Sequence, residues 1–161
     1  MSKYVTYSDY KNLYGDIEET TFNRLVIRAC AVADRLTTGA DGIRKLKKFF
    51  PTNTDDIEVI KSAICGVIHL MADIEALEAA GGYTTRSDGT IVGKKVTSIS
   101  SGSESLSYST DVSSSMAGSL VGDIEAQNKA FKALMTEGLR YIQDANGVNL
   151  MYMGVYPAWE D

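Results

Sequence analysis

The strongest constraint on the fold is the apolar periodicity of residues 54–80. Large apolar side chains recur there at alternating steps of three and four, which places them on one face of an α-helix. A second, mostly small row lies beside it, so another backbone could approach closely. We predict a long central helix buried on two sides, capped by Asp55 with Glu58 and ended by Gly81-Gly82. The two rows are Ile57, Ile60, Ile64, Val67, Met71, Ile74 and Leu77, and Cys65, Ile68, Ala72, Ala76 and Ala79.

Two helices are predicted before this central one. Residues 4–14 carry tyrosines at helical spacing, with Ser8 as a possible N-cap, and their aromatic face suits either a lid on the core or a binding surface. Residues 20–36 repeat the two-sided apolar pattern after a capping-box pair, Asp16 and Glu19. The shared pattern predicts that this helix packs against the central one.

The segment 40–53 forms a short amphipathic turn before Pro51 and holds a cluster of basic residues. Such a cluster is either the solvated face of a short helix or a contact with a phosphate backbone or an acidic partner. Its members are Arg44, Lys45, Lys47 and Lys48.

Composition changes sharply at residues 81–122, which are rich in glycine and serine and poor in large apolar residues. Because ordering the backbone costs about 1–2 kcal/mol per residue, this stretch has little burial to order it alone. Residues 95–100 and 105–109 nevertheless alternate with period two around a possible turn at 101–103. We predict a projecting hairpin or arm that packs on a neighbouring subunit, with a flexible linker as the alternative. Its candidate contact residues are Val96, Ile99, Leu106 and Tyr108.

Helical periodicity returns at residues 123–145, weakened by Gly138, which costs about 1 kcal/mol relative to alanine. The tail that follows is strongly apolar and aromatic, whereas chain ends are usually polar. It is either tucked on the body or presented to a partner, because aromatic residues and methionine are enriched in interface cores. The candidate contacts are Tyr152, Val155, Tyr156 and Trp159.

Charge and composition exclude several classes of function. The net charge is −5 and the acidity is spread along the chain, which argues against a general nucleic-acid binder. Cys30 and Cys65 are too few for a disulfide framework and suit buried thiols. The polar start has no apolar segment typical of a secretory signal, and charged residues interrupt the central helix, so we expect neither secretion nor a membrane span.

Catalytic and metal motifs are absent from the sequence. There is no nucleophile elbow and no phosphate-binding loop. The single histidine, His69, lies beside an apolar row and suits a structural role. The acidic groups of the central helix, Asp73, Glu75 and Glu78, suit a solvated face. We therefore expect no enzyme, no cofactor and no metal.

The order of motifs resembles the head–tail connector family of tailed bacteriophages, also called adaptor or head-completion proteins. The resemblance is carried by YVTYSDYKNLYG with TFNRLVIRACAVADRLTTG, by IKSAICGVIHLMADIEA, by SISSGSESLSYST and by LMYMGVYP, which follow one another in the family's order. The segments 40–53 and RYIQDANGVN depart from that pattern.

The residue patterns predict a mainly α fold: a small helical bundle around one long central helix, with a projecting β-hairpin or arm and a C-terminal helix plus tail. They divide the chain into a helical body at 1–80, an arm at 81–122 and a C-terminal helix and tail at 123–161, in one domain with an appendage. The resemblance implies a structural protein that forms an oligomeric ring. Copies would form a ring on the portal protein, in the neck of the virion after assembly in the host cytoplasm. The ring would also bind the next connector or a tail-completion protein.

DNA would pass through such a ring without sequence-specific binding, because an acidic wall does not grip it. The candidate channel-facing charges are Asp73, Glu75, Glu78, Lys45, Lys47 and Lys48. A different class of function stays open: a small monomeric or dimeric binding module that grips a protein with its aromatic tail.

Overall fold

The structure, a computed structural model, describes residues 4–79 and 115–157, together with the backbone of four strands between them. These parts are mainly helical, which confirms the predicted fold class with its long central helix and its hairpin. The helices are α1 Tyr7–Tyr14, α2 Glu19–Leu36, α3 Lys45–Lys48, α4 Thr54–Ala79, α5 Met116–Leu120 and α6 Ile124–Leu139. The strands are β1 Tyr83–Thr85, β2 Ile91–Gly93, β3 Lys95–Ser100 and β4 Ser105–Ser109.

The chain divides into two compact units, and α4 and α6 each contribute to both. One unit comprises Met1–Ile68 and Phe131–Asp161, and the other comprises His69–Ala130. The predicted division at residues 80 and 122 stays a prediction.

The core of the first unit is built from the predicted apolar rows of α2 and α4. Burying such side chains contributes about 1.5–3 kcal/mol each. The aromatic face of α1 joins this core, because Tyr10 is buried and its ring centroid lies 5.8 Å from that of Phe22. The α1 segment is thus a lid on the core. The fully buried side chains include Phe22, Leu25, Val26, Leu46, Ile60, Ile64, Met135, Leu139 and Leu150.

The helix starts differ from the predicted ones. Thr6, not Ser8, caps α1: its hydroxyl accepts from the Asp9 N–H at 3.1 Å, and the Asp9 carboxylate accepts from the Thr6 N–H at 2.7 Å. α4 begins at Thr54, where the Asn53 side chain accepts from the N–H of Asp55 at 2.9 Å. A capping oxygen must precede the first free N–H groups by two or three residues, so these earlier residues take the role.

The remaining predicted cap is also wrong. The residue at the N-cap of α2 is Glu18, whose side chain makes no capping hydrogen bond, so Asp16 does not cap this helix. Instead the Asp16 carboxylate pairs with Lys11 at 2.6 Å. The end of α2 at Leu36, followed by Thr37 as C-cap, agrees with the prediction.

The second unit contains two antiparallel strand pairs, β1 with β2 and β3 with β4. Its α5 is capped by Ser115, whose hydroxyl accepts from Gly118 N at 3.0 Å. The turn into α6 is held by Gln127, which donates to the Leu120 carbonyl at 2.9 Å. In the part of the chain that the structure describes, no helix is both long and apolar enough to cross a membrane.

Candidate functional site

The candidate site is the C-terminal segment, residues 150–157, which a tight turn directs back onto the body. Asp144 N–H donates to the Val148 carbonyl at 2.8 Å, and Leu150 N–H donates to the Ile142 carbonyl at 2.9 Å. The Asp144 carboxylate accepts from Asn146 N and Val148 N inside the turn. Leu150 is buried at the start of the segment and fixes its origin.

Three contacts anchor the segment, and each uses a main-chain atom of the segment. The ammonium of Lys45 donates to the carbonyl of Tyr152. The N–H of Ala40 donates to the carbonyl of Met153 at 3.1 Å. The carboxylate of Asp41 accepts from the N–H of Tyr156 at 2.7 Å. The backbone path of the segment is therefore set by α3 and by the turn before it.

Tyr156 anchors the segment through its side chain as well. Its ring stacks on Phe49 with centroids 4.5 Å apart and an interplanar angle of 18°. Its hydroxyl donates to the Asp144 carboxylate at 2.7 Å. Burial and this carboxylate raise the pKa of Tyr156. Tyr156 was a predicted contact with a portal or neighbour, but one ring face and its hydroxyl are used inside the subunit.

Lys45 corrects the interpretation of the basic cluster. Its side chain is 1% exposed, so in this subunit it is not a surface charge that could face a channel. Burial lowers its pKa, and Asp144 and Asp41 oppose that shift. Lys47 and Lys48 are exposed, as predicted for a solvated face. No local pattern of the sequence distinguishes Lys45 from Lys47 and Lys48, because the carbonyl that it binds belongs to the distant Tyr152.

Three large apolar side chains of the segment are exposed, although the Lys45 ammonium lies 5.7 Å from the centroid of the Tyr152 ring. Tyr152 is 48% exposed, Met153 59% and Val155 68%. We call these three residues the apolar strip. Tucking and presentation were alternatives for the tail, and the segment does both: its backbone is fixed while the strip is exposed. Trp159 lies outside the described residues.

The hairpin pairs the four residues predicted to contact a neighbour. The register sets Val96 opposite Tyr108 and Ile99 opposite Leu106, with an irregularity between Val96 and Ser98. The predicted turn at 101–103 lies outside the described residues. The role of these four hairpin residues as a contact with a neighbouring subunit stays a prediction.

The predicted acidic residues of α4 make contacts within the subunit. Asp73 is exposed and lies 3.6 Å from His69 Nε2, while Glu75 is half-buried. The Glu78 carboxylate accepts from Gln127 Nε2 at 3.3 Å and from Gly122 N at 3.5 Å. Glu78 therefore has a structural contact at the turn before α6, which sequence reasoning missed.

Among residues 4–79 and 115–157, no cluster of histidine, cysteine, aspartate or glutamate has a metal-binding arrangement. Comparison of the chain with models of protein families, with curated proteins and with solved structures found no match.

Proposed function

We propose that this protein is a structural component of a bacteriophage virion, a head–tail connector. Copies form a ring that docks on the portal protein, extends the DNA channel and joins head to tail. The proposal assigns no catalytic activity, and it places the protein in the neck of the virion after assembly in the host cytoplasm.

The observation that carries the proposal is the apolar strip on a fixed backbone. Exposed apolar side chains that lie close together, as these three do along one short segment, are typical of an interaction site. A segment already ordered by Lys45 and Asp41 loses little further conformational entropy on docking. Pre-organised apolar anchors of this kind suit a permanent contact between rigid subunits.

The charge distribution also supports a channel wall. The chain carries a net charge of −5, and Asp73 is exposed on α4. Burial of Lys45 removes one of the positive groups that could hold a phosphate backbone. An acidic wall lets DNA pass because it repels rather than binds phosphates. The hairpin pairs supply a further contact surface for a neighbouring copy or the next connector in this proposal.

The alternative function uses the same strip. A small binding module, monomeric or dimeric, could grip a partner protein with Tyr152 and Val155 and would form no ring. The two functions differ in oligomeric state and in the partner that covers the strip.

The deciding experiment measures native mass over a range of concentrations, alone and with portal protein. We expect a closed ring or a concentration-dependent assembly that docks on the portal. The double variant Tyr152→Ser/Val155→Ser should weaken docking by about tenfold or more, the loss typical of interface anchors. The matched control Tyr141→Ser/Ile124→Ser removes two side chains that are also exposed, at 80% and 73%, but lie outside the segment.

A tight two-fold dimer would reject the connector, because such an interface does not generate a ring. Docking that is equally strong in the strip variant and the control would remove the strip from the interface. A monomer that ignores the portal would favour the binding module.

A further inference from the structure

A groove with a mixed polar and apolar lining lies at the C-terminal end of α2, beside the turn that also holds the C-terminal segment. Its volume is about 640 Å³, the size of a small ligand pocket. The 38–44 turn forms one wall and α2 the other. The lining residues are Ala31, Asp34, Arg35, Thr38, Gly42 and Arg44.

The turn that forms one wall of the groove is tightly fixed. Thr38 and Arg44 form an antiparallel bridge, and the Gly39 N–H donates to the Ile43 carbonyl at 3.0 Å. Gly42 adopts φ +77°, a left-handed conformation that favours glycine. Arg44 is therefore held across the groove from the last turn of α2, which carries Arg35.

The two arginines of the groove are available to bind an anion. Both are exposed, and neither guanidinium has an ion pair or hydrogen bond with residues 4–79 or 115–157. The groove's own carboxylate, Asp34, is buried and accepts from the hydroxyl of Tyr4. Two guanidinium groups stand against this one carboxylate, so the groove keeps a net positive charge. Two guanidinium groups suit carboxylates, which they can bind in a bidentate manner.

The other end of α2 carries the complementary charge. Glu18 and Glu19 are exposed, and Glu18 makes no capping hydrogen bond. Across the described ranges, their carboxylates have neither an ion pair nor a hydrogen-bond donor. Glu18 and Arg35 are 17 positions apart, about 25 Å along a helix, so the two ends cannot meet within one subunit.

We propose that Glu18 and Glu19 of one copy bind the Arg35–Arg44 groove of the next copy. The contact joins different surfaces of two identical subunits, so it is heterologous and repeats head to tail. It rests on the proposed function, because a ring needs such a contact, and it names the residues that form it. An acidic segment of another copy is favoured over nucleic acid because the phosphates of a duplex carry a much denser negative charge, which the net charge of −5 repels more strongly.

Charge reversal tests this contact. Arg35→Glu/Arg44→Glu and Glu18→Arg/Glu19→Arg should each raise the subunit concentration needed for half-assembly by about tenfold or more, because like charges then face each other. The quadruple variant, with both ends reversed, should assemble to within about threefold of the wild type. Lys129→Glu/Lys132→Glu is the matched control, since it makes the same charge change at two exposed lysines of α6.

Disulfide trapping reports on the contact even if no stable ring forms in solution. Mixed copies carrying Glu18→Cys and Arg44→Cys should give a covalent dimer under mild oxidation, whereas a Glu18→Cys and Lys129→Cys mixture should not. The native Cys30 and Cys65 are buried and do not compete.

The outcomes separate this inference from the connector proposal. If the wild type forms a ring and both charge-reversal variants assemble equally well, the α2 contact is overturned and the connector proposal stands. Equal disulfide trapping in both mixtures has the same meaning. Specific trapping without any ring on the portal keeps the contact and rejects the connector. Retention of duplex DNA by the wild type, lost in Arg35→Glu/Arg44→Glu, would assign the groove to phosphates and overturn the inference.

Discussion

Gly138 of α6 lies directly against Ala63 of α4. A Cβ atom at position 138 would overlap the Ala63 methyl group, with the Ala63 Cα 3.6 Å away. Two helices can approach this closely only when one of them lacks a side chain at the crossing. The glycine that weakens α6 as an isolated helix is therefore the residue that allows it to pack on α4.

Gly138→Ala should destabilise the protein, although alanine is the better helix former by about 1 kcal/mol. We expect a net loss of about 1–3 kcal/mol in the free energy of unfolding, the usual cost of overpacking. Urea denaturation measures it. The double variant Ala63→Gly/Gly138→Ala should recover part of the loss, because Ala63→Gly removes the methyl group that the new side chain would overlap. A stabilised single variant would contradict the close approach.

Thr6→Ala should cost about 1 kcal/mol of stability, since the hydroxyl accepts from the Asp9 N–H and completes a capping box. Ser8→Ala is the matched control and should stay within about 0.5 kcal/mol, because Ser8 is exposed and lies inside the helix. Thermal or urea unfolding of the two variants compares them directly. Equal losses would show that the cap is not at Thr6.

Lys45→Met should loosen the C-terminal segment. The change removes the donor to the Tyr152 carbonyl, worth about 1 kcal/mol, which corresponds to roughly a fivefold larger open population. Limited proteolysis of residues 150–157 should accelerate by that factor. Lys47→Met alters an exposed lysine of the same helix and should leave the rate unchanged. Equal rates in both variants would remove Lys45 from the anchoring.

Stability should fall as the pH rises from 9 to 12. Burial, followed by the charge of Asp9, raises the pKa of the Cys65 thiol from 9.0 to about 12. Between these two pKa values the Cys65 thiol is deprotonated in the unfolded chain and protonated in the folded chain. The contribution of this thiol to the free energy of unfolding therefore falls with a slope of about −1.4 kcal/mol per pH unit. Lys45 acts in the opposite direction below pH 10.5, because burial lowers its pKa.

Cys65→Ala isolates the contribution of the thiol to this pH dependence. Its cavity lowers stability equally at every pH, so only the slope reports the titration. The variant should show a shallower fall of the free energy of unfolding above pH 9. An unchanged slope would show that the thiol is not shielded in the fold.

Local patterns were enough to predict α2 and α4, because apolar spacing along a helix records which face is buried. Phe22 and Leu25 on one helix and Ile60 and Ile64 on the other are buried as their spacing predicts. The caps were displaced by two residues because neighbouring side chains offer equivalent oxygens. Thr6 is the N-cap because its backbone is extended and the helix begins at the next residue, Tyr7, which places Ser8 inside the helix.

The candidate site was less predictable because its contacts span the whole sequence. Lys45 and Tyr152 are 107 positions apart, and nothing near Lys45 shows that a carbonyl will cover it. The tail's composition is the same whether its residues pack or are presented, so sequence left both alternatives open. Arg35 and Arg44 become neighbours only through the fixed turn between them.

The main-chain anchoring of the C-terminal segment depends little on which side chains it carries at 153 and 155, whereas the Tyr152 ring also lies 5.7 Å from the Lys45 ammonium. Lys45 and Ala40 bind carbonyl oxygens, and Asp41 binds an N–H, and every residue other than proline supplies both groups. Mutations of Met153 and Val155 can therefore change the recognised surface without releasing the segment. Such separation lets recognition diverge between related proteins while the fold that carries it stays constant.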